Sequence, residues 1–142
     1  MTDLIARDVM QSDILTVTPD TRVLDIHRMF VEEEIHGAPV VDDDGVVCGV
    51  VSSLDLLRVV RDELEPSTAD DALTARDAMS RELVSVSSTA TIAEIANVMR
   101  SQRIHRVLVI DNKELLGVIT TFDLLQALIS QAPLANRTGY SS

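Results

Sequence analysis

The sequence predicts an α+β fold built from two βαββα repeats. A segment beginning "ARDVMQSDILTV" at Ala6 returns as "ARDAMSRELVSV" at Ala75, and "GVVSSLDLL" from Gly49 returns as "GVITTFDLL" from Gly117. Between these markers each copy passes from a stretch with helical apolar spacing to two β-branched runs separated by turn residues. The register, an offset of 69 from Ala6 to Ala75, carries Ile35-His36 onto Ile104-His105 and Asp42 onto Asp111. One residue is then lost in a turn, so that Gly49 meets Gly117 and Asp55 meets Asp123.

Each unit opens with a short strand, Leu15 to Val17 or Val84 to Val86. The helix that follows has, in the second copy, Ile92, Ile95, Ala96 and Met99 at i, i+3, i+4 and i+7, which predicts one buried stripe. Thr91 with Glu94 three residues on fits a capping box at its start. "APVV" and "VVCGVV" flank "DDDG", and "VLVI" and "LLGVI" flank "DNKE", which predicts an antiparallel hairpin in each copy. Helical spacing resumes from Leu54 through Leu57 and Val60, and from Phe122 through Leu125 and Leu128. The polar stretch around Pro66 reads as a linker and the residues from Pro133 as a loosely ordered tail, giving units at 4–62 and 73–132 and a tail at 133–142.

With 142 residues and 46% apolar but only 2% aromatic side chains, the core must be aliphatic. No apolar run has the length of a membrane span, and the charged start "MTDLIARDVM" lacks the apolar segment of a signal peptide, so a cytoplasmic chain without membrane contact is expected. The lone Cys48 agrees with a reducing compartment and reads as a small apolar strand residue. A net charge of −11 disfavours nucleic acid and anionic membranes. It does not disfavour a small anionic ligand, because local donors outweigh a distant field beyond a Debye length of about 8 Å.

The ordered markers "RDVM…TVTPD…IHGAPVVDDDGVVCGVVSSLDLL" and "RDAM…VSVSST…IHRVLVIDNKELLGVITTFDLL" resemble two tandem cystathionine-β-synthase (CBS) motifs, over roughly residues 6 to 131. The resemblance implies a CBS-domain pair, or Bateman module, whose two motifs pack sheet to sheet and bind adenosine-containing ligands in clefts between them. Such modules regulate and rarely catalyse, and two pairs form a disc.

The hydroxyl-x-x-Asp turns admit two readings. Ser52 or Thr120 can cap the backbone N–H groups of the following helix, and an Asp in the first turn is favoured by the helix dipole by about 0.3–1 kcal/mol. The same helix start can instead take a phosphate, and a carboxylate can span the vicinal hydroxyls of a ribose. The family places its ribose aspartate where Asp55 and Asp123 stand and its phosphate hydroxyl where Ser52 and Thr120 stand. It holds the purine against Gly37-Ala38-Pro39 and Arg106-Val107-Leu108, with Thr16 and Ser85 on the neighbouring first strands and His105 and Arg106 on the side from which the phosphates are approached. The copies depart from one another at Leu108, where the family often has proline, and at Arg106, where the first copy has Gly37. That single cation predicts unequal clefts, with the Arg106 side filling first and favouring the more highly charged ligands.

His27, His36 and His105 lack the spacing of a metal site, "DDDG" lacks the closing glutamate of a calcium loop, and no catalytic constellation stands out. No catalytic or metal residue, and no required cofactor, is therefore expected. The sequence points to a non-enzymatic regulatory module binding AMP, ADP, ATP or S-adenosylmethionine and acting on an unidentified protein. A structural dimerisation module without ligand is the alternative, and an enzyme is the weakest reading. A homodimer is expected because the apolar set Leu56, Leu57, Leu124, Leu125 and Leu128 exceeds what one thin sheet per copy can cover.

Overall fold

The computed structural model describes residues 4–62 and 73–130; the expected linker core around Pro66 and the tail lie outside them. The described elements are α1 (Ala6–Val9), α2 (Val23–Glu33), β1 (Gly37–Val41), β2 (Val47–Ser52), α3 (Ser53–Asp62), α4 (Ala75–Ala78), β3 (Ser85–Val86), α5 (Ile92–Gln102), β4 (Arg106–Asp111), β5 (Glu114–Thr120) and α6 (Thr121–Ser130). The mixed helix and strand order is the expected α+β repeat, with two additions that the spacing did not predict, the single-turn helices α1 and α4.

These two turns decide how the chain divides. One compact unit comprises residues 14–62 with 73–83, and the other residues 4–13 with 84–130. Each repeat therefore lends its N-terminal segment to the sheet of the other. In the unit carrying Asp55, β1 and β2 form an antiparallel hairpin in which Gly37 faces Ser52, Ala38 faces Val51 and Pro39 faces Val50. Ser80, just after α4, exchanges backbone hydrogen bonds with Val50 at 2.8 and 3.0 Å. In the unit carrying Asp123, β4 and β5 pair in the same way, Arg106 with Thr120 and Leu108 with Val118, and Gln11 exchanges bonds of 2.9 and 3.0 Å with Val118. The two hairpins share a register shift at equivalent positions, after Val40 and after Val109.

The first strands are unequal. β3 pairs parallel with β4 through Ser85 and Val86. Its counterpart, expected at Leu15 to Val17, contracts to a single parallel bridge of Val17 to Val40.

The cores are aliphatic, as composition required, save for Phe30. Val17, Ile26, Phe30, Val40, Val51 and Leu56 anchor one, with Ala75 of α4 wholly buried among them. Ile92, Ile95, Met99, Val107, Val109 and Ile119 anchor the other, with Ala6 of α1 in the matching place. The α5 stripe thus holds at Ile92, Ile95 and Met99, whereas Ala96 is exposed and the flank that packs on the core is the one carrying Val98. Leu56 and Leu124 are buried in their cores and are not surplus. The large exposed apolar side chains of the described helices are Leu54, Leu57 and Val60 on α3, Leu24 and Val31 on α2, and Phe122, Leu125 and Leu128 on α6. Between α2 and α3, Leu24, Val31, Leu57 and Val60 edge a groove of about 860 Å³ that also contains His27 and His36.

Candidate functional site

In each unit the end of a hairpin strand runs directly into a helix, and the hydroxyl-x-x-Asp turn sits at that junction. Ser52 closes β2 and α3 begins at Ser53; Thr120 closes β5 and α6 begins at Thr121. The start of the partner strand fixes the helix start: the Ser53 N–H donates to the His36 carbonyl at 2.9 Å, and the Thr121 N–H to the His105 carbonyl at 2.9 Å.

The turns are reciprocal capping boxes with Asp in place of the usual Glu. The Asp55 N–H donates to Ser52 Oγ at 3.2 Å, while Asp55 Oδ2 accepts from the Ser52 N–H at 2.8 Å and its hydroxyl at 2.9 Å. The Asp123 N–H donates to Thr120 Oγ1 at 3.1 Å, and Asp123 Oδ2 accepts from the Thr120 N–H at 2.9 Å. Capping uses one oxygen of each carboxylate and leaves the other directed elsewhere. At Asp55 the second oxygen, Oδ1, meets, among the described residues, only the Arg58 guanidinium at 3.9 Å, an ion pair too long for a hydrogen bond. At Asp123 the Gln11 amide nitrogen donates to both oxygens, 3.0 Å to Oδ1 and 3.1 Å to Oδ2.

Strand alternation divides the sequence-derived residues by face. Gly37, Pro39 and Ser52 share the face opposite the core, next to Thr16, which precedes the bridging Val17. Ser85, Arg106, Leu108 and Thr120 share the corresponding face of the other sheet, where Leu108 is nonetheless buried, as Pro39 is on the first. Ala38 and Val107, by contrast, point into their cores, so a ligand on the outer face meets only their backbone. His105 and Arg106 are exposed, and Arg106 has no ion pair among the described residues. Gln11 was not among the expected residues; its one trace in the sequence is that the repeat does not preserve it, having Ser80 in its place.

A second polar constellation belongs to the fold. Ser88, 1% exposed, donates its hydroxyl to Asp111 Oδ2 at 2.6 Å and accepts from Arg7 Nη2 at 3.0 Å. The hydroxyl and N–H of Ser88, with the Arg7 charge, hold the Asp111 carboxyl below its ordinary range. The Thr91 N–H and hydroxyl likewise lower Glu94 through the expected capping box. Among the described residues no group of three or more His, Cys, Asp or Glu side chains could hold a metal ion, and no helix is long and apolar enough to cross a membrane.

The sequence profile of the CBS domain matches residues 6–62 and 75–130. The chain belongs to the CBS domain family. Similar proteins include the uncharacterised MJ1426 of Methanocaldococcus jannaschii, 28% identical over 155 residues that cover 89% of this chain and 92% of that one. The inosine-5'-monophosphate dehydrogenase of Halobacterium salinarum is 29% identical over 82% of this chain but only 22% of its own length. This CBS chain spans less than half of several of its curated relatives, so their whole-protein activities do not transfer with the match. Among solved structures, CBSX2 in complex with AMP superposes with a TM-score of 0.78 at 25% identity, covering 89% of this chain and 97% of that one.

Proposed function

We propose that this CBS pair is a regulatory module that binds an adenosine-containing ligand, AMP, ADP, ATP or S-adenosylmethionine, at Asp55, at Asp123 or at both, and that it catalyses no reaction. The observation that carries this reading is the second oxygen of Asp55, which accepts no hydrogen bond from the described residues and has only the long Arg58 ion pair. The cap needs only Oδ2, yet the side chain is held 17% exposed beside a sheet face lined by Gly37, Pro39 and Ser52. A carboxylate so fixed can accept from a ribose diol while the adjacent helix start, with the Ser52 hydroxyl, faces phosphate. Support comes from the CBSX2 complex with AMP. The remaining set, Thr16, Ala38, Ser85, His105, Arg106, Val107, Leu108, Thr120 and Asp123, keeps its proposed ligand role on the same grounds.

Calorimetric titration with the four ligands tests the reading. Asp55→Asn keeps an oxygen for the Ser52 N–H, so folding should change little while affinity at that site falls by about 1.5–3 kcal/mol, the worth of a hydrogen bond to a charged group. A large loss of thermal stability with unchanged binding would assign the aspartates to capping alone. No heat with any ligand would favour the alternative, a dimerisation scaffold, which the exposed apolar rows on α3 and α6 support. Under either reading the chain is proposed to be a cytoplasmic homodimer engaging a regulated protein, and light scattering at the mass of one 15.5 kDa chain would refute the dimer.

A further inference from the structure

We infer that Gln11 is a built-in competitor for the ligand's ribose at Asp123, so that the two sites fill in order, Asp55 before Asp123, for a ligand without phosphate. The inference rests on the ribose reading of the aspartates and concerns what separates the two sites.

Gln11 Nε2 lies nearly equidistant from both Asp123 oxygens, at 3.0 and 3.1 Å. A ribose diol would bring its two O–H donors to the same pair of oxygens. One carboxylate has room for about four acceptor directions, and the Thr120 N–H already takes one on Oδ2. The position between the two oxygens that a bidentate diol needs is the one the amide fills, so the Gln11 side chain must swing away before ribose can engage both oxygens. Its backbone need not move, because the bonds to Val118 at 2.9 and 3.0 Å are independent of the side chain.

The other unit is the internal control. Ser80 makes the same backbone pairing, with Val50, but its hydroxyl is too short to reach over a carboxylate and accepts instead from the Glu82 N–H at 3.4 Å. Among the described residues, Asp55 Oδ1 keeps only the distant Arg58. At the carboxylates themselves, Asp123 thus carries a displaceable charge-assisted hydrogen-bond donor from the exchanged N-terminal segment, where Asp55 has only a guanidinium beyond hydrogen-bond distance. This reverses, for uncharged ligands, the order that Arg106 suggested: a guanidinium favours phosphate but does nothing for a nucleoside.

The test uses the full chain with adenosine, for which Arg106 is silent, and AMP as a second probe. Asp55→Asn leaves the Asp123 site and Asp123→Asn leaves the Asp55 site. Adenosine should bind the Asp123→Asn protein on the order of tenfold more tightly than the Asp55→Asn protein, the scale of one such hydrogen bond. Adding Gln11→Ser, the residue the other repeat carries, or Gln11→Ala to Asp55→Asn should recover most of that factor. In the otherwise unaltered chain Gln11→Ser should merge a two-step isotherm into one, which guards against misfolding of the Asn variants. If the Gln11 variants bind both probes as their parents do, Gln11 is no competitor and the ligand reading stands. If no protein in the series binds adenosine or AMP, the ligand reading itself falls and the competitor with it.

Discussion

The two repeats superimpose two different chemistries on one backbone plan. Gln11 and Ser80 hold the same backbone pairing, yet one covers an aspartate and the other leaves its counterpart open. Arg7 and Arg76 occupy equivalent turns, yet Arg7 reaches the buried Ser88 hydroxyl, while Arg76 reaches the exposed Asp20 at 2.8 Å. Ser88 itself stands where the other repeat has Pro19, whose carbonyl accepts the Arg76 N–H just as the Ser88 carbonyl accepts that of Arg7. Backbone bonds and the local Asp caps recur in both copies; the side-chain bonds that reach across to distant residues do not. Duplication thus preserves the frame and leaves each site free to acquire its own partner groups.

The exchanged segments are the part of the frame whose disturbance should cost most. A Cβ at Gly49 would lie 2.5 Å from the Ser80 carbonyl oxygen and 3.1 Å from Met79 Sδ. At Gly117 it would lie 2.6 Å from Met10 Sδ and 2.9 Å from the Gln11 carbonyl oxygen. Both glycines therefore exist for close approach. Gly49→Ala meets rigid backbone first and should destabilise by about 3 kcal/mol; Gly117→Ala first meets a flexible thioether and should cost less, about 1–2 kcal/mol. Urea denaturation of the two variants checks the order. Equal and small losses would mean that the segments sit loosely on their sheets.

Much of this frame was legible because it is local. The hairpins follow from β-branched runs around turn residues, the Thr91 cap from a spacing of three, and α3 and α6 from apolar periodicity resuming after the hydroxyl-x-x-Asp turn. What could not be read depends on contacts distant in sequence. Nothing near Ala6 or Ala75 says that each is buried in the unit built mostly from the other repeat. The Gln11 contact with Asp123 spans 112 residues, so spacing carries no trace of it. Ala96 fits the helical stripe, but the flank that meets the core is the one carrying Val98. Leu56 and Leu124 lie next to Leu57 and Leu125, and only the pitch of the helix on its sheet buries one of each pair and exposes the other. The homology signal supplied the aspartates; the side chains that make them unlike came from geometry.

The smallest expected effects sharpen the Arg7 and Arg76 contrast through pH. Asp111 is held below its ordinary range in the folded chain, first by the Ser88 hydroxyl, then by its N–H and by Arg7. A depressed folded value means that the unfolded chain binds the proton more readily. The stabilisation is therefore complete above the unfolded value, near pH 4, and is lost as pH falls through the lower folded value. Ser88→Ala removes the largest cause, so its melting temperature should lie a few degrees below the parent's at pH 7, and the gap should narrow as pH falls toward about 3. Arg76→Ala breaks a pair whose side chains are 53% and 81% exposed, and should cost less than about 0.5 kcal/mol, an offset that added salt abolishes. Melting curves of the parent and both variants from neutral to acid pH separate the cases. A Ser88→Ala curve parallel to the parent's at every pH would show that the Ser88 hydroxyl fills space without holding the Asp111 charge.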